Sequence, residues 1–173
     1  MKFVIAPDSF KGCMTAKQAC AAIRDGLLRV FPDAEYVMVP MADGGEGTVR
    51  SLVDATHGRI CSAQVLDPLQ RETVAEYGIL GNANDSGLTA IIEMSAASGI
   101  QFVDEHTRNP LVATTYGTGQ LMKHALDDGV RTIILGVGGS ATNDGGAGMA
   151  EALVVRFLIR HPNPTPRCRY LLH

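Results

Sequence analysis

The sequence feature that most constrains the fold is an apolar segment that runs directly into a glycine-rich loop and then into a helix. Residues 132–137 form a predicted buried strand, residues 138–144 form a loop rich in Gly, Ser and Thr, and a helix is predicted over residues 145–153. Units of strand, loop and helix are typical of α/β folds, in which helices cover a largely parallel sheet. The predicted fold class is therefore α/β.

The N-terminal region contains a second unit of this kind. Residues 2–6 form a predicted short strand that Pro7 ends, and residues 36–39 form another. Between them, residues 15–18 (Thr-Ala-Lys-Gln) match a capping box, which opens a helix. The small and apolar residues of that helix recur at helical spacing, at Ala19, Ala22, Ile23, Gly26, Leu27 and Val30. This arrangement predicts a parallel, Rossmann-like βαβ unit with a right-handed crossover.

The pattern changes near residue 60. Residues 60–67 and 71–80 alternate between apolar and polar, which predicts a β-hairpin, and residues 88–94 form a further predicted strand. A helix is then predicted over residues 117–128. We therefore predict that a second, mixed α/β domain begins near residue 60.

Composition narrows the class of protein. The chain has 173 residues, of which 46% are hydrophobic and 19% charged, which is enough apolar surface for a globular core. The net charge of −3 argues against a nucleic-acid partner. The apolar run before Pro7 is shorter than the roughly 7–15 residues of a signal-peptide core, and other apolar runs are strand-sized. We therefore expect no membrane partner. The four cysteines form no CxxC pair, which argues against a zinc site or a disulfide framework and favours reduced thiols in the cytoplasm.

The loop at 138–144, called the third loop below, is the strongest candidate binding site. Glycines let backbone N–H groups converge, and a helix N-terminus favours anions, so the loop is suited to a phosphate. Its candidate binding residues are Gly138, Gly139, Ser140, Thr142, Asn143 and Asp144. Asp144 could also hold Mg²⁺ or orient a hydroxyl. The alternative is a glycine-rich turn whose Asn and Asp only cap the helix.

Two further loops follow the N-terminal strands. The second loop (residues 42–48) carries Asp43, Gly44, Gly45 and Glu46, and the first loop (residues 7–12) carries Asp8, Ser9 and Lys11. Because the carboxyl ends of parallel strands form the ligand crevice of α/β sheets, we expect these loops to meet at one edge. A lysine among acids suits the transfer of a phosphoryl group. The alternatives are ordinary acids at a helix start and an exposed loop lysine.

Common nucleotide motifs fit poorly. The chain has no GxxxxGK[ST] sequence, so it is not a P-loop NTPase. Residues 136–141 match GxGxx[GA], but a dinucleotide site needs an acidic residue about 20 positions later, where this chain has none. A nicotinamide-dependent oxidoreductase is therefore only a minor alternative.

Five longer blocks carry a family resemblance. IAPDSFKG (5–12), VPMADGGEGT (39–48), IEMSAASG (92–99), RNPLVATTYGTG (108–119) and GVGGSATNDGGAGM (136–149) resemble the bacterial glycerate kinase family in order and spacing. The resemblance implies two α/β domains with the active site in the cleft between them. It also implies transfer of the ATP γ-phosphoryl group to a hydroxyl of D-glycerate with Mg²⁺, giving 2-phosphoglycerate.

The resemblance also implies roles for individual residues. Lys11 would neutralise the transferred charge or pair with the substrate carboxylate, and Asp43, or secondly Asp8, would hold Mg²⁺ or accept the hydroxyl proton. The third loop would cradle a phosphate or the glycerate. The residues that ligate a metal, the oligomeric state, and the choice between the 2- and 3-hydroxyl stay open.

The chain departs from the family near residue 155. Residues 156–173 contain four arginines, three prolines and no acidic residue, and the resembling part covers less than half of the family's length. We predict part of a Rossmann-like domain at 1–60, part of the mixed domain at 61–155, and an aberrant tail at 156–173; a frameshift would produce such a tail. We therefore expect an N-terminal portion with little or no activity of its own. A catalytically dead binding module is the alternative.

Overall fold

The computed structural model describes residues 1–10, 13–81 and 87–157. The strands are β1 (Lys2–Ile5), β2 (Glu35–Met38), β3 (Arg59–Leu66), β4 (Glu72–Ile79), β5 (Thr89–Glu93) and β6 (Thr132–Gly136). The helices are α1 (Ala16–Leu28), α2 (Thr48–Thr56), α3 (Ser95–Ser98), α4 (Tyr116–Asp127) and α5 (Ala147–Ala152), with a 3-10 turn at Ile100–Phe102. Lys11 and the residues of the tail from 158 onward lie outside the described residues.

The strands form two sheets that confirm the predicted α/β class. Strands β1 and β2 pair in parallel, with Lys2 opposite Glu35 and Ile5 opposite Met38. The other sheet has the order β3-β4-β5-β6, in which β3, β4 and β5 are antiparallel neighbours and β5 and β6 are parallel. The predicted N-terminal βαβ unit, the hairpin and the strand before the third loop are therefore all present. That strand, β6, lies at the edge of the sheet with Ile134 44% exposed, so the prediction of a buried strand is wrong.

Helix α1 begins at the predicted capping box. The Gln18 backbone N–H donates to the Thr15 hydroxyl oxygen at 3.2 Å, and the Thr15 backbone N–H donates to Gln18 Oε1 at 2.9 Å. Only part of its predicted apolar face is buried, however: Ala19 is 2% exposed, whereas Ile23 is 41% exposed and Val30, just beyond the helix, is 68% exposed. The strands of four residues span about 13 Å and the helix of 13 residues about 20 Å. The two-stranded sheet is therefore too short to cover the whole face.

The main core surrounds β5. Because successive side chains of a strand point to opposite faces, Ile92 and Ile91 face different helices. Ile92 lies in a cluster with Leu121 and other residues of α4, and Ile91 packs with Val49 and Val53 of α2. Both isoleucines are fully buried. Strand β5 is therefore held on both faces, and its C-terminal end is a firm base for the loops beside it.

Within residues 1–10, 13–81 and 87–157, no helix has the length and apolar character that crossing a membrane requires.

Candidate functional site

The second and third loops approach each other through their backbones. Gly138 N–H donates to the Gly44 carbonyl oxygen at 3.1 Å. A Cβ added to Gly136 would lie 2.5 Å from that same oxygen, and one added to Gly138 would lie 2.8 Å from the Gly45 Cα atom. Distances this short exclude a side chain at both positions, so the glycines of β6 and the third loop are needed for close contact between the loops.

The first and second loops are joined in the same manner. Val39 N–H donates to the Ile5 carbonyl oxygen at 2.8 Å, and Met41 N–H donates to the Pro7 carbonyl oxygen at 3.0 Å. These bonds extend the parallel β1–β2 ladder into the loops that follow it. All three predicted loops therefore lie along one connected edge of the molecule, as the strand order requires.

The predicted acidic residues of this edge face solvent. Asp8, Asp43 and Glu46 are exposed, and Ser9 is partly exposed. Asp8 Oδ1 accepts from the Ser9 backbone N–H at 2.6 Å, and Asp43 Oδ1 accepts from the Gly45 backbone N–H at 3.0 Å. Within the part of the chain that is described, the second oxygen of each aspartate accepts no hydrogen bond. These oxygens are open to a ligand.

Thr48 organises the second loop from within. Its hydroxyl donates to the Gly45 carbonyl oxygen at 2.8 Å and accepts from the Gly44 backbone N–H at 3.1 Å. Gly44 and Gly47 have φ angles of +90° and +94°, a conformation that favours glycine. The buried threonine and these glycines fold the loop into a compact turn that presents Asp43 and Glu46 outward.

Glu93, the last residue of β5, caps the N-terminus of α2. The N-cap residue of α2 is Gly47, which has no side chain to accept a hydrogen bond. Instead, Glu93 Oε1 accepts from the Val49 backbone N–H at 2.7 Å. Burial raises the pKa of the Glu93 carboxyl above its ordinary value, and the N–H groups of Val49 and Gly47 act in the opposite direction. Sequence reasoning did not select Glu93, because its partner lies 44 residues away along the chain.

Asp144 caps the N-terminus of α5, which likewise begins after a glycine, Gly146. Its carboxylate accepts from the backbone N–H groups of Thr115, Gly146 and Gly148 at 2.8, 2.9 and 3.1 Å. The Thr115 hydroxyl lies 2.9 Å from Oδ2. Burial acts to raise the Asp144 pKa, but these hydrogen bonds outweigh it and the pKa is lowered. Both oxygens are thus engaged, and for Asp144 the geometry is that of a helix cap.

The rest of the third loop is anchored to the segment after β5. The Ile100 backbone N–H donates to the Gly139 carbonyl oxygen at 2.8 Å, and Ala141 N–H donates to the Ser98 carbonyl oxygen at 2.9 Å. Ser140 and Thr142 hydroxyls are 2.8 Å apart and bonded to each other. Asn143 is exposed, and the other residues of the loop are partly buried, apart from exposed Gly139.

The donor set of this edge fits Mg²⁺ in one respect. Mg²⁺ is commonly bound by one or two carboxylates together with substrate phosphates, and Asp8, Asp43 and Glu46 supply open carboxylate oxygens. The described residues contain no group of three or more His, Cys, Asp and Glu side chains that could hold a metal by themselves. Asp144 does not fit a metal role, because protein donors surround its carboxylate.

Comparisons with known proteins identify the family of this chain. The chain matches the family model described as the glycerate kinase family over residues 3–172. It is 56% identical over 164 residues to a glycerate kinase of Haemophilus influenzae, covering 95% of this chain and 42% of that protein. It is 52% identical over 153 residues to a glycerate 2-kinase of Escherichia coli K12, covering 88% of this chain and 39% of that protein.

A solved structure is similar over the same region. A crystal structure assigned as glycerate kinase 2 from Salmonella typhimurium LT2 superposes with a TM-score of 0.76 and 52% sequence identity, covering 88% of this chain and 40% of that one. The chain therefore spans between 39% and 42% of the length of these relatives. On the family match and these identities, the chain belongs to the glycerate kinase family.

Proposed function

We propose that this chain carries part of an ATP-dependent kinase site that phosphorylates D-glycerate, with 2-phosphoglycerate as the product. Membership of the glycerate kinase family supports the substrate class, and the Escherichia coli relative named glycerate 2-kinase supports the 2-hydroxyl as the acceptor. The observation that carries the proposal is the convergence of the three glycine- and acid-bearing loops at one edge, through the backbone bonds of Gly44 with Gly138 and of Pro7 with Met41.

The open carboxylates define the proposed catalytic roles. Asp43 is the first candidate to hold Mg²⁺ or to accept the hydroxyl proton, and Asp8 is the second, because among the described residues each keeps one oxygen without a donor. When bound, Mg²⁺ would neutralise charge on the transferring phosphoryl group. Lys11, proposed from the sequence, would pair with the transferred phosphoryl group or with the glycerate carboxylate.

The glycine loops would position the substrate and the phosphate groups on which the carboxylates act. Candidate contacts to substrate or phosphate are Ser9, Gly44, Gly45, Glu46, Gly138, Gly139, Ser140, Thr142 and Asn143. Asp144 would act in a different manner, by holding the helix that follows the third loop while its own oxygens stay engaged. Fixed backbone dipoles are effective here because phosphoryl transfer depends on positioning and charge stabilisation.

The exposure of this edge bears on activity. Val137, between the third-loop glycines and β6, is 66% exposed, and Asp8, Asp43 and Asn143 are exposed as well. A phosphoryl group held here would remain in contact with water, which weakens electrostatic stabilisation and admits hydrolysis. We propose that the 173-residue chain alone turns over little or no substrate.

We also propose that residues 1–60 belong to one domain and residues 61–155 to a second, and that residues 156–173 form a distinct tail.

The test combines ligand binding with turnover. Isothermal titration of the purified chain with MgATP and with D-glycerate is expected to show binding, and coupled ADP release is expected to be slight. Asp43→Asn should weaken MgATP binding about tenfold or more, since it removes a charged ligand group. Asp25→Asn is the matched control, because Asp25 is exposed on α1 and pairs only with the neighbouring Arg24 within the described residues.

The outcomes distinguish a kinase from a binding module and from an oxidoreductase. Turnover lost in Asp43→Asn and in Lys11→Ala would support the kinase and contradict the proposed weak activity. Binding of both ligands that Asp43→Asn and Lys11→Ala leave unchanged, with no ADP release, would favour a binding module. A folded chain that binds neither MgATP nor D-glycerate would contradict the proposal, and binding of NADH would favour the oxidoreductase.

A further inference from the structure

Glu93 is a partly buried carboxylate at the candidate site, and the proposed function gives it no role. It is the last residue of β5, which lies between β4 and β6 in the sheet. In the parallel ladder its Cα pairs with Gly136, the last residue of β6 and the point at which the chain enters the third loop. Its side chain reaches the start of α2, the point at which the chain leaves the second loop.

Hydrogen bonds, together with the backbone that joins neighbouring residues, connect Glu93 with Asp43. Glu93 Oε1 accepts from Val49 N–H at 2.7 Å, which fixes the first turn of α2. Thr48, the residue before Val49, then bonds to both Gly44 and Gly45 through its hydroxyl, at 3.1 and 2.8 Å. Gly45 N–H in turn donates to Asp43 Oδ1 at 3.0 Å. The carboxylate of Asp43 is therefore oriented by a turn that Glu93 holds at its base.

The third loop joins the same network from the other side. Gly136 pairs with Glu93 along the ladder, Met94 N–H donates to the Gly136 carbonyl oxygen at 2.8 Å, and Gly138 N–H donates to the Gly44 carbonyl oxygen at 3.1 Å. A shift of α2 away from β5 would move Gly44 relative to Gly138. Glu93 thus pairs through its backbone with the strand that leads into the third loop, and its side chain bonds to the helix that follows the second loop.

We infer that Glu93 is a positioning residue that sets the second loop against the third, acting through Val49 and Thr48 and without touching substrate. From strand β5, Glu93 accepts a hydrogen bond from the start of α2, which the N-cap residue Gly47 cannot do because it has no side chain. The chemistry required is that of a hydrogen-bond acceptor at the start of α2, so an amide can replace the carboxylate. The link from positioning to phosphoryl transfer rests on the proposed function; the positioning itself does not.

Residue-resolved amide hydrogen exchange on the 173-residue chain, measured by NMR, tests the inference directly. Glu93→Met fills the space without an oxygen acceptor, and Glu93→Gln keeps the acceptor. In Glu93→Met, exchange at Val49 and Gly44 should be about tenfold faster or more, the range expected for losing a hydrogen bond to a charged group. In Glu93→Gln it should stay within about threefold of the unmodified chain. Amides of α1, such as Ala19 and Cys20, should not change in either variant.

Two further variants keep the test informative if Glu93→Met does not fold. Thr48→Val removes the hydroxyl that connects α2 to Gly44, so exchange at Gly44 should be faster while Val49 stays protected by Glu93. Glu76→Ala is the matched control, because Glu76 also reaches α2 from a neighbouring strand, β4, but bonds to the exposed side chain of Arg50. It should leave exchange at both Val49 and Gly44 unchanged.

Titration with MgATP separates positioning from direct contact with ligand. The inference predicts weaker binding in Glu93→Met, in step with the faster exchange, and unaltered binding in Glu93→Gln. It is overturned if a folded Glu93→Met variant keeps its protection at Val49 and Gly44. It is also overturned if Glu93→Gln loses binding while protection is unchanged, because Glu93 would then touch the ligand. If the unmodified chain binds no MgATP, the proposed function fails, and the exchange rates still decide the role of Glu93.

Discussion

Helices α2 and α5 both begin after a glycine in the left-handed conformation, Gly47 with φ +94° and Gly146 with φ +79°, and neither glycine can cap its helix. Each helix start receives a carboxylate instead. Asp144 lies two residues before Gly146, whereas Glu93 comes from strand β5, far from α2 in the chain. A carboxylate close in sequence and a distant one thus have the same role: each accepts hydrogen bonds from backbone N–H groups that have no partner at a helix start.

The two carboxylates differ in how completely they are engaged. Asp144 accepts from Thr115, Gly146 and Gly148, and its pKa is lowered despite burial. Glu93 accepts from Val49 N–H at 2.7 Å, and its pKa is raised because burial outweighs the N–H groups of Val49, Gly47 and Thr48. The nearby Glu46 carboxylate adds to the rise. The difference shows that burial of a carboxylate does not by itself predict its charge state. The balance between burial and like charge on one side, and N–H and hydroxyl donors on the other, decides the direction of the pKa shift.

Removing the Asp144 carboxylate should have the largest effect. Asp144→Ala leaves the N–H groups of Thr115, Gly146 and Gly148 without an acceptor and separates α5 from the loop before α4. We expect the free energy of unfolding to fall by about 3 kcal/mol, measured by urea denaturation followed by circular dichroism. Asp25→Ala, on the surface of α1, serves as the control. A fall below about 1 kcal/mol would mean that water replaces the carboxylate.

Removing the Glu93 acceptor should cost about half as much. Glu93→Met takes away the bond from Val49 N–H, but it also removes a partly desolvated charge, which offsets some of the loss. We expect a fall of about 1.5 kcal/mol in the same denaturation assay. An effect equal to that of Asp144→Ala would break the distinction between the two caps.

The local part of this comparison was open to sequence analysis, although for Asp144 capping was the alternative to the predicted binding role. Asp144 stands next to the glycines of a strand–loop–helix unit, and capping by its side chain was one of the two interpretations of the third loop. The capping box of Thr15 and Gln18 was predicted for the same reason, since both partners lie within one helical turn. Interactions of short sequence range leave a readable pattern.

Glu93 could not be predicted because its partner is set by the order of strands. A carboxylate at the end of a strand can reach the start of α2 only if β5 lies beside that helix, and the packing of Ile91 on Val49 and Val53 brings this about. The backbone approach of Gly136 to Gly44 has the same origin. The loops themselves were predictable from their glycines and acids, but the residue that joins them was not.

The pH dependence of stability should have opposite signs at the two caps. The lowered pKa of Asp144 means that its ionised form stabilises the fold above about pH 4, and that this contribution is lost as the pH falls through the lowered value. The raised pKa of Glu93 means that its contribution is present below about pH 4 and is lost as the pH rises through the raised value.

Variants that cannot titrate make these signs measurable. From about pH 3 to about pH 7, Asp144→Asn should become less stable relative to the unmodified chain, and Glu93→Gln should become more stable relative to it. The two differences are obtained from urea denaturation at each pH. Differences of the same sign in both variants would show that one of the two carboxylates does not have the environment described.

The smallest effect is expected for a carboxylate that contacts α2 without capping it. Glu76, on β4, bonds to Arg50 at 2.6 Å, and the two side chains are 47% and 68% exposed. An exposed ion pair gains little, because water and salt screen the charges, so Glu76→Ala should change the free energy of unfolding by less than about 0.5 kcal/mol. A loss as large as that of Glu93→Met would mean that charge near α2, and not acceptance from its first N–H groups, stabilises the helix. Repeating both measurements in 1 M salt separates the two causes, since only the charge effect is screened.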